Sequence, residues 1–348
     1  MGLAISPAAT RLYVVNSDFD LQYNGGTLQA YDLERVRSLA PRECETDEDC
    51  DADQACDTEP SEANSGIPSH WCVPTSGPFL GHPCGPWGAA SPAARWIQPG
   101  RCGFVDPASP QDGGDPLLVD AVGIGAFATD VIYRSRPPAD DGTERPGGKL
   151  FIPVRGDATL HVVEADDDAK GTRTGFELEC GQAGNRGKCD AAHRVGDNPD
   201  QENTRGLRMP PEPYGIDASA DGRAMLVTHQ TEGAVALFVN DWDAGELGQT
   251  QLEFALGGLA PKPVGVAAIP VPAAVQESNR MALTEQTELI RYQPGFLVTF
   301  RDAALVKLIR YHADSRRLDP INPGRPFVAD SGSAAITTNS IGTDSRGI

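Results

Sequence analysis

The sequence predicts an all-β chain made of repeated four-stranded antiparallel units. Three observations carry that expectation. First, a glycine-led phrase recurs. Gly2-Leu-Ala-Ile-Ser6 is followed by Leu12-Tyr-Val-Val-Asn16, and Gly215-Ile-Asp-Ala-Ser219 is followed, past Asp221-Gly222, by Met225-Leu-Val-Thr-His229. In both copies the serine and the last residue of the second run lie ten positions apart. Second, the apolar runs are mostly four to six residues long, rich in Val, Ile, Leu and Tyr, and bounded by Gly, Asp or Pro, which is how short strands read. Third, the spacing is steady: Leu150 to Met225 is 75 residues and Met225 to Phe296 is 71. Leu12 to Leu150 is 138, and setting aside the 64 residues of the cysteine-rich stretch 42–105 leaves 74. A constant period of this size means an array of one supersecondary unit.

The runs follow in order. A first run opens each unit at 2–5, 124–128, 215–218, 265–269 and 347–348. A second follows a turn at 12–15, 150–154, 225–228 and 296–300. A third follows a short polar gap at 27–31, 159–163, 234–239 and 305–309, and a weaker fourth stands at 252–256 and 327–329. Several runs are apolar at every position, as expected for a sheet covered on both faces. Antiparallel four-stranded units in series, each needing neighbours on both faces, are the blades of a β-propeller. Residues 134–147 read as the solvated hairpin loop between the first two strands of the second blade. The expected organisation is a blade start at 1–41, a cysteine-rich insert at 42–105, a blade at 106–169, a polar insert at 170–205 and further blades at 206–348. Thr343 to Ile348 reads as the opening of a fifth blade. The count is then about four blades plus a stub, an incomplete ring belonging to a longer propeller of about six to eight blades. A small propeller closed by the stub is the alternative.

Bulk properties narrow the function. The formal net charge is −20 and the isoelectric point is near 4.6. Such a chain repels phosphate backbones, so nucleic acid is not an expected partner. No apolar run approaches the roughly 18 residues that suggest a membrane-spanning helix. Residues 1–16 have neither a basic n-region nor an apolar h-region and are no signal peptide. Eight cysteines are present, six of them from Cys44 to Cys102, in a polar stretch rich in glycine and proline. An even, clustered count reads as a disulfide framework, which needs an oxidising compartment: periplasm, cell surface or outside. Export without a visible leader implies that the leader lies upstream of residue 1.

Four constellations are candidates for chemistry. Cys44, Cys50, Cys56, Cys72, Cys84 and Cys102 are read as three disulfides holding a loop with little core of its own, each contributing about 2–4 kcal/mol. A zinc site is the sharper alternative, but no Cys-x2-Cys spacing occurs. Cys180 and Cys189 are expected to close a local loop, and Cys84 with Cys102 is a weaker pairing. Asp49, Asp51 and Asp53, with Asp47 and Asp57, place carboxylates at alternate positions, as a Ca²⁺ loop does. Gln54 and Pro60 stand where an EF-hand needs Gly and Glu, so a solvated acidic stretch is the plainer reading. The histidines, 70, 82, 161, 193, 229 and 312, form no His-x3-His pair; His161 and His229 fall in strands and read as structural. Asp217, and less surely Asp130, lies on a first strand. The chain has no Gly-x-Ser-x-Gly elbow, phosphate-binding Gly-rich loop or haem-attaching Cys-x-x-Cys-His.

The phrase Gly2-Leu3-Ala4-Ile5-Ser6-Pro7 with Leu12-Tyr13-Val14-Val15-Asn16 resembles the YVTN-type β-propeller repeat of the lactonase-like seven-bladed propeller superfamily. The copy at 215–229 keeps Asp221-Gly222, and the copies at 124–154 and 265–300 are degenerate. Cys44-Glu-Thr46-Asp47-Glu-Asp49-Cys50 resembles small extracellular cysteine-rich modules. The propeller resemblance implies a rigid frame whose loops contact a protein or a small molecule. The expectation is a non-catalytic binding or scaffold module of an exported cell-envelope protein, monomeric and without a resident cofactor. A propeller-lactonase-like hydrolase is the alternative, since acidic residues such as Asp217 converging on a channel hold a metal there. A surface lipoprotein is a third possibility.

Overall fold

A computed structural model of the chain describes residues 2–17, 25–39, 42–57, 71–76, 108, 115–139, 142–168, 175–181, 189–244, 250–272, 274–275, 295–312 and 326–335. The strands are β1 (Leu3–Ile5), β2 (Arg11–Asn16), β3 (Gly26–Asp32), β4 (Gln54–Asp57), β5 (Trp71–Pro74), β6 (Leu118–Ile124), β7 (Ile132–Ser135), β8 (Gly148–Val154), β9 (Thr159–Ala165), β10 (Leu178–Glu179), β11 (Arg194–Val195), β12 (Pro213–Ala218), β13 (Ala224–His229), β14 (Ala234–Asn240), β15 (Thr250–Leu256), β16 (Pro263–Ala268), β17 (Gly295–Phe300), β18 (Leu305–His312) and β19 (Phe327–Ala335). They form four meanders: β1-β2-β3-β6, β7-β8-β9-β10, β12-β13-β14-β15 and β16-β17-β18-β19. Four-stranded antiparallel sheets following one another along the chain are propeller blades. Strands β8 and β13 are buried at every residue, because sheets cover them on both faces.

Two compact units divide the chain. One comprises Met1–Ala8, Leu12–Ala30 and Asp120–Ile348; the other comprises Ala9–Arg11 and Tyr31–Val119. In the second unit, helix α1 (Leu33–Leu39) starts where the Asp32 carboxylate accepts the Arg35 N–H at 3.0 Å, an N-terminal cap. Strands β4 and β5 pair with Cys56 opposite Cys72. Two interleaved disulfides, Cys44–Cys56 and Cys50–Cys72, tie this hairpin to the preceding turn.

One expected element is corrected. Residues 124–128 do not open the second sheet. Ile124 ends β6, the fourth strand of the first sheet, and the second sheet opens at β7. The chain between β3 and β6 delays the first sheet's last strand, whose apolar end then resembles a new beginning. Ala128 makes only an isolated bridge to Val154. The second sheet's outer edge is also split: β10 and β11, both within residues 170–205, pair with β9.

Within the first unit the sheets pack in chain order. Tyr13 stacks on Tyr133, ring centroids 5.6 Å apart, between the first and second sheets. Phe151, Leu160 and Val162 of the second meet Ile216, Met225 and Phe238 of the third. Leu226 and Leu237 of the third meet Phe296, Val298 and Ile309 of the fourth.

The recurring glycine has a physical reason. The registers Leu3↔Val14, Ile216↔Val227 and Val266↔Val298 place Gly2, Gly215 and Gly265 at one equivalent point of three sheets. A Cβ on Gly2 would lie 2.6 Å from the Asp130 carbonyl carbon, and one on Gly215 would lie 2.4 Å from the Val264 oxygen. At Gly2 and Gly215 backbone of the next sheet comes too close for any side chain, while a Cβ on Gly265 would meet Thr299 Oγ1 of its own sheet at 2.5 Å.

Gly215→Ala is expected to destabilise the chain by about 1–3 kcal/mol, the range for forced overpacking. Gly257, where an added Cβ meets nothing within 4 Å, is the control, and Gly257→Ala should stay within about 0.5 kcal/mol. Denaturant midpoints of the two variants check this.

Candidate functional site

The first strands and their continuations carry a line of acidic and basic side chains. Asp217, on β12, is held from three directions. Its Oδ1 accepts Arg134 Nη2 at 2.5 Å and the Ala218 N–H at 2.8 Å. Its Oδ2 accepts the Ala268 N–H of the fourth sheet at 2.7 Å. Arg134, on β7, also donates Nη2 to the Ala218 carbonyl at 2.9 Å, Nε to that of Ser219 at 3.3 Å, and Nη1 to its neighbour Tyr133 at 2.9 Å. The pair therefore links the second, third and fourth sheets.

Asp130 repeats this grammar. Oδ1 accepts the Val131 N–H at 2.9 Å, and Oδ2 accepts the Ile216 N–H of the next sheet at 3.3 Å. Burial raises its pKa, and the charge on Asp217 adds to the rise. Asp120 on β6 does the same at the outer edge, with Oδ1 on the Ala121 N–H at 2.8 Å and Oδ2 on the Leu178 N–H at 2.7 Å. Its sequence signal is an aspartate directly before a small or β-branched apolar residue inside a run, shared by Asp120-Ala121, Asp130-Val131 and Asp217-Ala218.

Two threonines serve the same junctions. Thr129 Oγ1 donates to the Tyr214 carbonyl at 2.6 Å, and Thr228 Oγ1 lies 3.4 Å from the Val264 carbonyl while accepting the Gly215 N–H at 2.9 Å. Tyr214 and Val264 sit in bulges, between Pro213 and Ile216 and between Pro263 and Gly265. A bulge frees the backbone group that the hydroxyl then satisfies.

The strand histidines are buried. His229 closes β13, with Nδ1 3.2 Å from the Pro211 carbonyl, and burial lowers its pKa to about 4. His161 Nε2 lies 3.4 Å from Asp157 Oδ2, while Asp157 Oδ1 accepts the Thr159 hydroxyl at 2.5 Å. Burial works to raise the Asp157 pKa, but the His161 and Thr159 hydrogen bonds and the His161 charge outweigh it and leave the carboxyl below its ordinary range. The hydroxyl faces the carboxylate and not the imidazole, so this trio does not have the order of a nucleophile with its base. His193 Nδ1 pairs with Asp190 at 2.8 Å, and His312 stacks on Phe327. His70 and His82 lie outside the described residues.

The aspartates of the cysteine-rich stretch form no convergent ligand set among the described residues. Asp49 Oδ2 accepts the Glu45 and Thr46 N–H groups, both at 2.9 Å, and these hydrogen bonds lower its pKa. Asp47 Oδ1 accepts the Cys56 N–H at 2.8 Å. Asp51 lies 3.7 Å from Arg42, and the Asp53 carbonyl accepts the Thr75 N–H and hydroxyl at 2.9 Å. The only group of three or more Cys, His, Asp or Glu whose ligand atoms converge there is Cys44, Cys50 and Cys72, whose sulfurs are in disulfides. Cys180 is bonded to Cys189; Cys84 and Cys102 lie outside the described residues. The three disulfides belong to an oxidising environment. No helix among the described residues is long and apolar enough to cross a membrane.

One concave surface stands beside the second sheet. A cavity of about 400 Å³ is lined by Arg136, Glu164, Asp166, Asp167, Glu177 and Glu179 among others. Glu164 is shared by Arg136 at 3.3 Å and by the buried Lys149 at 3.9 Å. Burial lowers the Lys149 pKa to about 8.

No protein-family model and no curated protein matches the sequence. Similar solved structures include a functionally unknown protein from Desulfotomaculum acetoxidans DSM 771, at 10% identity and a TM-score of 0.37, covering 95% of this chain and 68% of that one. A candidate 6-phosphogluconolactonase from Bacteroides uniformis ATCC 8492 is 12% identical with a TM-score of 0.38, covering 94% of this chain and 57% of that one. The periplasmic gluconolactonase PpgL of Pseudomonas aeruginosa is 15% identical with a TM-score of 0.31, covering 94% and 71%. The chain thus spans between half and three quarters of the length of these structures. The blade architecture is defined by the sheets' own order and register.

Asp217→Ala is expected to cost about 1–3 kcal/mol, because it leaves the Ala268 N–H without its acceptor and the Arg134 guanidinium without its counter-charge. Asp217→Asn keeps one acceptor and should cost less; denaturant midpoints give the order. His229 supplies a pH test. Its folded pKa lies below the unfolded 6.5, so its contribution is complete above that pH and is lost as pH falls toward 4. The loss is at most about 3 kcal/mol. His229→Gln should flatten this part of the acid limb in stability measured against pH.

Proposed function

We propose that the chain is a non-catalytic binding or scaffold module of an exported protein, with contacts made by its cysteine-bearing inserts and loops. One observation carries this reading. The inner-strand carboxylates from which a channel metal site would be built are engaged in joining sheets. Asp217 is saturated by Arg134 and two backbone N–H groups, and Asp130 by two more. The inserts are placed differently. The 42–105 stretch presents exposed acidic residues on a frame held by two disulfides, and the 170–205 stretch brings Glu177 and Glu179 to the acidic cavity. A stapled loop loses less conformational entropy on binding than a free one. The net charge of −20 suits partners with cationic groups. The disulfides support an oxidising environment, and the proposed compartment is the periplasm, the cell surface or the outside.

The test compares the oxidised full-length chain with a variant in which residues 42–105 are replaced by a short Gly/Ser linker, which removes Cys44 together with its partner Cys56. Each is immobilised against cell-envelope extract, and metal content and lactonase turnover are measured in parallel. Loss of captured partners with the insert, without stoichiometric metal or turnover, is the expected result. An unchanged partner set removes the 42–105 insert from the interface. Stoichiometric Ca²⁺ or Zn²⁺, with turnover abolished by Asp217→Asn, would establish the hydrolase instead.

A further inference from the structure

Four sulfurs meet in the cysteine-rich unit. Those of Cys44, Cys50 and Cys72 lie within 4.8 Å of one another, although Cys44 and Cys50 belong to different disulfides. Cys56 is bonded to Cys44 and stands opposite Cys72 across the β4–β5 ladder. Each cysteine therefore has a second cysteine beside its bonded partner. Cys44 and Cys72 are buried, while Cys50 and Cys56 are half-buried.

The disulfides are not alone in bringing the four together. The Cys72 N–H donates to the Arg42 carbonyl at 2.9 Å, and Glu43 bridges to Trp71, which ties the Cys44 segment to β5. The Asp47 carboxylate accepts the Cys56 N–H at 2.8 Å, and the Asp47 carbonyl accepts the Cys50 N–H at 3.2 Å, which ties the turn at Cys50 to β4. These hydrogen bonds persist when a sulfur–sulfur bond opens. Tetrahedral Zn²⁺ holds thiolates at about 2.3 Å, which sets its sulfurs about 3.8 Å apart. The unbonded pairs among Cys44, Cys50 and Cys72 are within about 1 Å of that spacing. The wide gaps between these cysteines differ from a Cys-x2-Cys knuckle because the ligands come from a turn and two paired strands instead of one loop.

We propose that Cys44, Cys50, Cys56 and Cys72 form a redox-controlled zinc site: two disulfides when oxidised, one closed tetrathiolate site when reduced. The reductant is a dithiol. Each dithiol gives two electrons and two protons to one Cys–S–S–Cys bond, becomes a disulfide itself and leaves two thiols. Zn²⁺ then bonds the four sulfurs and displaces their four protons to solvent. Four protein ligands leave no open position, so the ion braces the hairpin and carries out no hydrolysis. The two states exclude each other, because the thiolate is the metal ligand and a disulfide has none.

Metal titration of the full-length chain tests this, after anaerobic reduction with a dithiol that is removed before metal is added. Co²⁺ is the probe, and its displacement by Zn²⁺ gives the affinity. The expected result is one Co²⁺ at this site, with the sulfur-to-metal charge-transfer and ligand-field absorption of a tetrahedral tetrathiolate. Cys44→Ser, Cys50→Ser, Cys56→Ser and Cys72→Ser should each lower Zn²⁺ affinity by more than the roughly 10–100-fold lost with a residue that only orients a ligand. Cys180→Ser with Cys189→Ser, and Cys84→Ser with Cys102→Ser, should leave the absorption intact and control for the other four thiols. Near-ultraviolet circular dichroism verifies that the reduced chain and each variant keep their sheets packed. Absence of the absorption from the reduced chain overturns the proposal. So does absorption unchanged by any one of the four single substitutions, absorption lost with Cys180 and Cys189 instead, or equal metal uptake by the oxidised chain.

Discussion

The structure depends on the close approach of the first strands of successive sheets. At Gly2 against Asp130 and at Gly215 against Val264 there is no room for a Cβ. Backbones that close exclude water, so polar groups at the junction must be satisfied by the neighbouring sheet. Asp130 and Asp217 accept N–H groups from the next sheet, and Thr129 and Thr228 reach its bulged carbonyls. The apolar faces alone would let sheets slide, since apolar contact is non-directional. The carboxylate and hydroxyl bonds have direction, and they set the register between sheets.

The junctions are not equal. Asp217 has a guanidinium 2.5 Å away, which offsets the desolvation of its charge. Asp130 has backbone donors only, and burial lifts its pKa. The second and third sheets gain a further tie in Lys149, whose Nζ donates to Asn240 at 3.2 Å and lies 5.3 Å from the Trp242 ring. A buried ammonium of this kind adds specificity more readily than stability, because its attraction to Glu164 must offset a large loss of hydration.

Much of the fold was legible because the repeat obeys local rules: short β-branched runs, turn residues at fixed offsets and a glycine at one equivalent point of three sheets. The start of the second sheet was not, because a non-local insertion displaced the fourth strand of the first, and run order carries no record of pairing. The cysteines divide the same way. Cys180 and Cys189 are nine apart with no competitor nearby, whereas Cys44, Cys50 and Cys56 have equal gaps and no local preference, and the interleaved pairing depends on a hairpin. Asp217 stood out as an acidic residue on a first strand, but its partners lie 83 and 51 residues away. Asp47 and Asp49 show the converse. Alternating carboxylates look like a cation loop, and here Asp49 caps the backbone of a short turn while Asp47 accepts the Cys56 N–H of β4.

This division between frame and insert bears on where function resides. A residue that closes a junction between sheets serves two neighbours at once, so changing it disturbs both and leaves little freedom for new chemistry. An insert between β3 and β6 disturbs neither junction, provided that its ends return to the same strand edge. The Asp32 N–H to Leu117 carbonyl bond, at 2.9 Å, makes that closure. Disulfides then supply the rigidity that so short a hairpin cannot draw from a core of its own. A repeating frame with stapled interruptions thus keeps the residues that join the sheets apart from those of the inserts.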